Sequence, residues 1–127
     1  MPTPLGLVRG LGSGKTGTDV FIRERISGLL LFFLVPYLMI ALIPVFGEPY
    51  PVVLERIGSL WVGPPLIAFL LINATHMAMG MRVIIEDYVH ARMLKYALLI
   101  LNWAFSWGCA LIAALAVIRI MFLVVRI

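Results

Sequence analysis

The sequence predicts an all-α membrane protein with three transmembrane helices, and three observations carry that prediction. Of its 127 residues, 63% are hydrophobic and 13% charged, with a mean hydropathy of +1.10; soluble domains run closer to half apolar. The apolar residues gather in three blocks, each long enough to cross a hydrocarbon core of about 30 Å. Backbone groups find no water at that depth, so each block has to satisfy them internally as a helix. The single-residue alternation that marks a membrane β-barrel is absent. The chain is too short for more than one domain.

Taken in order, residues 1–25 read as a polar N-terminal tail rich in Gly, Thr and Ser. It has neither the cleavage pattern of a secretory signal nor the Arg- and Ser-rich amphipathicity of a transit peptide. The run Gly12-Ser13-Gly14-Lys15-Thr16 imitates a phosphate-binding loop, but Arg9 stands where that motif needs its first glycine. No soluble strand and helix flank it, which excludes a nucleotide site. Residues 26–127 form the three-helix anchor. The first span is expected at about 26–46, kinked at Pro36 and ended by Pro44, Gly47 and Pro49. A short connection at 48–59 carries a turn of surface helix near 52–57. The second span is expected at about 60–85, with Pro64 and Pro65 in its first turns, where helix amides lack partners anyway. A loop at 88–95 leads to the third span at about 96–118, and Arg119 and Arg126 near its end snorkel to the interface.

A net charge of +4 and a pI near 9.7 would suggest nucleic acid in a soluble protein. Here the basic residues cluster at helix ends, and topology is the simpler explanation. Arg9, Lys15, Arg23, Arg25, Arg82, Arg92 and Lys95 fall on one side; Arg56, Arg119 and Arg126 fall on the other. The bias puts the N-terminus in the cytoplasm and the C-terminus outside, and a bacterial inner membrane fits best. The single cysteine, Cys109, has no intrachain partner and reads as a small hydrophobe.

The stretch 73–90 concentrates the chemistry. His76 sits deep in the second apolar block, and the other histidine, His90, lies at the interface. At 100° per residue, His76, Gly80, Val83 and Asp87 share one helix stripe, with roughly 16 Å of rise from His76 to Asp87. An ionisable residue at this depth faces protein and marks a function. One reading is an inter-helix hydrogen bond, with Thr75 or Asn73 nearby. The other is an axial ligand to haem iron, with Gly80 leaving room for a flat macrocycle. A second histidine ligand would then have to come from another chain. Glu86-Asp87-Tyr88 reads either as interfacial anchoring or as part of a quinone site. In the second case the Tyr88 phenol bonds a quinone carbonyl, and Asp87 orients that phenol or passes protons. Arg23 and Arg25 read as topology determinants. Arg25 also suits a haem propionate, a guanidinium pairing bidentately with a carboxylate, and Ser27 offers a hydroxyl. Trp61, Trp103 and Trp107 and Met77, Met79 and Met81 read as packing.

The run His76-x-x-x-Gly80-Met81-x-Val83-Ile84-x-x-Asp87-Tyr88-Val89 closely resembles the small hydrophobic anchor of succinate dehydrogenase, respiratory complex II. The lead-in Gly12-Ser13-x-Lys15-x-Gly17-Thr18-x-x-Phe21-x-Arg23-x-Arg25 is similar to the alphaproteobacterial form of that subunit, though it departs from the family pattern at Val20, Ile22 and Glu24. The resemblance implies a hetero-subunit helical bundle. It implies that His76 ligates haem b, shared with a histidine of a larger cytochrome b anchor. It further implies that Tyr88 and Asp87 belong to the ubiquinone site and that Arg25 lies near the propionates. An iron–sulfur subunit and a flavoprotein, which carry the iron–sulfur clusters and FAD, would dock on the cytoplasmic face. Electrons from succinate would then reach ubiquinone, joining the tricarboxylic acid cycle to the respiratory chain. With no flavin or iron–sulfur motif, this chain would not oxidise succinate alone. Two other readings stand beside this one: a non-catalytic three-span structural or assembly protein, and the anchor of a fumarate reductase.

Overall fold

A computed structural model of the chain describes residues 3–8, 10 and 15–126. The Gly12-Ser13-Gly14 run and Arg9 lie outside the described residues. The elements are α1 (Pro4–Val8), α2 (Lys15–Leu42), a 3-10 turn (Ile43–Val45), α3 (Tyr50–Gly58), α4 (Gly63–Tyr88) and α5 (Arg92–Val125). Among the described residues, three helical stretches are long and apolar enough to cross a membrane: Thr18–Val45, Gly63–Tyr88 and Arg92–Val125. The chain is a multi-pass, all-α membrane protein.

The helices overshoot the spans that hydropathy marks. Twenty-eight residues in α2, 26 in α4 and 34 in α5 correspond to about 42, 39 and 51 Å of rise, against a core of about 30 Å. Hydropathy reports where the bilayer ends, whereas a helix stops at a breaker or a cap. Asp19 to Arg25 contains neither Gly nor Pro, so α2 begins at Lys15 rather than at residue 26. Arg25 lies over the Phe21 ring one turn back, 4.9 Å from its centroid, a pairing that supports the exposed turn. The expected loop at 88–95 shrinks to Val89–Ala91, three extended or uncapped residues between α4 and α5.

The helix runs through Pro36 and ends at Leu42. Pro44 then enters the 3-10 turn, and Gly47 takes φ +86°, a left-handed conformation that costs a side-chain-bearing residue free energy. This reversal delivers the chain to α3, the surface helix expected near 52–57. The Tyr37 hydroxyl donates to the Trp61 carbonyl, tying α2 to the α3–α4 connection.

Packing follows membrane rules. Large apolar side chains such as Phe32, Phe33, Ile40 and Ile112 are exposed; in water such a surface would aggregate, whereas lipid solvates it. The buried contacts are small. Ala74 and Ala78 of α4, and Ser106, Ala110 and Ala114 of α5, are all buried and recur every four residues, so two backbones approach along matching stripes. The Asn102 amide bridges them, donating to the Ala78 carbonyl at 3.0 Å. At the far end α3 seats on α5. A Cβ placed on Gly58 would lie 2.5 Å from Val124 Cγ2, and one on Gly63 would lie 2.6 Å from Met121 Sδ. Helix α4 thus runs antiparallel to both neighbours. Gly28 meets His76 while Leu38 meets the Leu66–Phe69 turn on one side, and Ala78 meets Asn102 while Gly63 meets Met121 on the other.

Candidate functional site

The site is organised where α2 crosses the middle of α4. His76 Nδ1 lies 2.9 Å from Ser27 Oγ, and Ser27, 7% exposed, donates its hydroxyl to the Glu24 carbonyl at 2.9 Å. A carbonyl only accepts, so that bond uses the single hydroxyl proton. The His76 contact is then made with Nδ1–H as donor and Ser27 Oγ as acceptor. In the neutral ring Nε2 then carries the lone pair, and it has no protein partner among the described residues. The inter-helix hydrogen bond expected of His76 is therefore made, but across to Ser27. Thr75, the neighbour the sequence suggested, turns its hydroxyl to the Leu71 carbonyl of its own helix.

The imidazole rests on a glycine. A Cβ on Gly28 would come 3.5 Å from His76 Cε1, an ordinary contact, whereas a Cβ on Gly80 would meet nothing within 4 Å. That flank of α4 is open beside Gly80, as a bulky planar group would require. Arg25 and Arg23 take opposite sides of α2, being two residues and thus about 200° apart. The imidazole meets α2 between them: Gly28, against the ring, is three residues from Arg25, and Ser27, bonded to the ring, is four from Arg23. Arg23 lines a groove with Thr75 and Arg82.

Asp87 and Tyr88 lie roughly 16 Å along the helix from His76 and are both exposed, Tyr88 to 78%. They form no part of the Ser27–His76 contact. Glu86, beside them, is occupied by Arg82, whose Nε lies 2.8 Å from Oε1, so Asp87 is the acid in this turn left without an ion pair among the described residues. Trp61 and Trp103 are largely exposed. No cluster of three or more His, Cys, Asp and Glu side chains occurs among the described residues, so these residues alone offer no closed ligand set for a bare ion. An Nε2 without a protein partner, with Gly28 against the ring and open space at Gly80 one turn on, suits a haem iron whose macrocycle brings four nitrogens of its own; the residues fit that group.

Two participants were not legible as such in the sequence. The sequence sets the Ser27 hydroxyl beside Arg25, and its contact with His76 appears only in the packed structure. Asn102 had no assigned part. Its signal was faint: a lone amide in an apolar block, which in lipid has to find a partner.

Comparison with known proteins agrees with this architecture. No solved structure matches the chain. It is similar to the succinate dehydrogenase hydrophobic membrane anchor subunit of Paracoccus denitrificans, 27% identical over 92% of this chain and 90% of the relative. Residues 1–118 match the model of the succinate dehydrogenase/fumarate reductase transmembrane subunit family. That match takes in all of α2, α3 and α4 and most of α5, and the chain belongs to this family.

Proposed function

We propose that this chain is the anchor subunit of a succinate:ubiquinone oxidoreductase, holding haem b through His76 Nε2 and contributing Tyr88 and Asp87 to the ubiquinone site. The observation that carries the reading is the Ser27–His76 contact. A histidine serving only to join two helices has no need of one nitrogen without a partner, or of open space one turn along its own face at Gly80. A histidine serving as a ligand needs that arrangement, with its second nitrogen held by a fixed acceptor.

The haem, when bound, supplies a one-electron carrier within the bilayer. This chain's residues do the rest by positioning. Ser27 fixes the imidazole's tautomer and rotation, and Gly28 and Gly80 keep side chains off its flank. Arg25, on the same flank of α2 as Gly28, is proposed to pair with a propionate. At the interfacial end of α4, Tyr88 donates its phenol proton in a hydrogen bond to a quinone carbonyl, a bond that strengthens as negative charge builds on that oxygen. Asp87 accepts and passes protons from the aqueous side. The exposure of both side chains suits a site completed by neighbouring subunits.

The partners follow from what the chain lacks. A larger cytochrome b anchor would supply the second haem ligand, and an iron–sulfur subunit and a flavoprotein would oxidise succinate and feed electrons in. The N-terminus of α2, the C-terminus of α4 and the N-terminus of α5 share one end of the bundle, where Arg23, Arg25, Arg82, Arg92 and Lys95 gather. We assign that end to the cytoplasm of a bacterial inner membrane. The family includes fumarate reductase subunits; the name of the Paracoccus relative favours succinate oxidation.

The test is a dithionite-reduced minus oxidised spectrum of the purified complex, wild type against His76→Ala, after assembly is confirmed. A b-type band present in the wild type and lost in the variant supports the ligand assignment. An unchanged band refutes it. A wild type with no band and no succinate–quinone activity would leave the structural-protein reading.

A further inference from the structure

We propose that the groove between α2 and α5, floored by α4, binds an anionic phospholipid, with its phosphate between Arg23 and Arg82 and an acyl chain against Trp103 and Trp107. This site is separate from the haem and quinone reading and does not depend on it. The groove encloses about 600 Å³ and is lined on α4 by Thr75, Ala78 and Arg82 and on α5 by Asn102 and the two tryptophans. It lies on the opposite flank of α4 from the open Gly80 side. Arg82 is two residues beyond Gly80, about 200° around the helix. The same step on α2 separates Arg23, which lines the groove, from Arg25. A group seated in the open space beside Gly80 therefore does not fill this groove.

The lining is graded along the membrane normal. Both guanidiniums sit at the end of the bundle where the basic residues gather, and the walls below them are apolar and aromatic. From Leu99 to Trp107 the α5 wall descends about 12 Å, from headgroup level into the acyl region. Indole rings belong at that boundary, one edge polar and the body apolar. Charge selects the ligand class. Arg82 is matched by Glu86 at 2.8 Å, whereas Arg23 has no ion-pair partner among the described residues, so the rim keeps a net positive charge facing acceptor oxygens. A neutral quinone leaves that charge unmatched. An apolar partner helix would fill the walls but leave the same charge unmatched. A phosphodiester with a free negative charge meets both requirements, and its tail fills the walls.

The test uses the full-length tagged chain, purified in detergent in the assembly it forms in its own membrane and delipidated. Thermal stability is followed while phosphatidylglycerol, phosphatidylcholine or inorganic phosphate is added. Phosphatidylglycerol is expected to raise the midpoint saturably, with phosphatidylcholine and phosphate well behind. Arg23→Gln should weaken the apparent phosphatidylglycerol affinity roughly fivefold, the worth of one arginine near an anionic headgroup. Arg25→Gln, on the opposite flank, should leave it unchanged. An equal loss in both variants would mean diffuse attraction and overturn the site. So would an equal response to the two lipids, or full replacement by phosphate. Should Arg23→Gln fail to assemble, a photo-crosslinker at Trp103 in the otherwise unaltered assembly decides the matter: adducts with phospholipid support the proposal, and adducts with a protein subunit overturn it.

Discussion

Replacing Ser27 with alanine removes the acceptor 2.9 Å from His76 Nδ1 and changes little else, because the site is 7% exposed and alanine differs by a single oxygen. Two independent magnitudes bear on the outcome. A buried donor left without an acceptor costs about 1–3 kcal/mol, and loss of the group that orients a ligating histidine lowers metal affinity by about 10–100-fold. The second range converts to about 1.4–2.7 kcal/mol, so the two agree. With Nδ1–H unheld, the imidazole also turns about its side-chain bonds and is free to place N–H at the Nε2 position, which cannot ligate. Ser27→Ala is therefore expected to assemble but to lose haem on mild chaotrope or imidazole challenge at concentrations roughly tenfold lower than wild type. The midpoint potential of any retained b-type band should shift. Ser27→Thr, which keeps the hydroxyl, should restore most of both. The assays are pyridine haemochrome content and a potentiometric titration of the purified complex. Unchanged haem retention and potential in Ser27→Ala, alongside loss of the band in His76→Ala, would refute the orienting role while leaving the ligand assignment intact.

Three further outcomes are expected. Gly80→Ala meets nothing within 4 Å in this chain and exchanges a poor helix former for the best, a gain of about 1 kcal/mol; it should nonetheless cut haem content, and full haem occupancy would show that Gly80 does not lie against the macrocycle. Gly58→Ala sets a methyl 2.5–2.9 Å from the branched Val124 side chain and 3.3 Å from the Ile120 carbonyl. Val124 is stiff at its first torsion, so the seat of α3 on α5 should weaken by about 1–3 kcal/mol, read as a lower thermal midpoint with the haem spectrum unchanged. Tyr88→Phe removes a phenol that is 78% exposed and should leave stability and the b-type band alone. It should slow succinate-dependent ubiquinone reduction roughly tenfold, the kinetic worth of one hydrogen bond of about 1.4 kcal/mol; an unaltered rate would remove Tyr88 from the quinone site.

Much of the fold is legible in the sequence because lipid leaves so few options: three apolar blocks had to be three helices. Helix ends are less legible, because the hydropathy edge and the helix terminus answer to different physics. Arg92 and Lys95 look like loop residues by charge, yet nothing in Arg92-Met93-Leu94-Lys95 breaks a helix, and α5 begins there. His76 is legible as special because burying an imidazole in lipid demands a reason. Its partner is not, since Ser27 is 49 positions away and helix rotation is undetermined until the helices pack.

That rotation explains both what the sequence conceals and how α4 works. In water, an amphipathic stripe reveals which face a helix buries; in lipid, protein-facing and lipid-facing positions are equally apolar, and the stripe disappears. Helix α4 nonetheless divides its circumference among four tasks. Ala74 and Ala78 press against α5, His76 reaches Ser27 on α2, Gly80 leaves one flank open, and Thr75 and Arg82 floor the groove on the other. The side chains that mark these faces are an alanine pair, an imidazole, a glycine and an arginine at the membrane edge, and none of them makes a hydrophobic stripe. The two-residue steps from Arg23 to Arg25 and from Gly80 to Arg82 carry the consequence. Neighbours that look interchangeable as positive or small residues at a membrane boundary serve opposite flanks of the bundle. Exchanging the two positions on α2, with Arg25→Gln against Arg23→Gln, therefore separates the haem flank from the lipid flank in one pair of variants. Arg25→Gln should alter the b-type potential and spare the phosphatidylglycerol response, and Arg23→Gln should do the reverse. If both variants moved both readouts, the division of α4 into separate faces would be wrong.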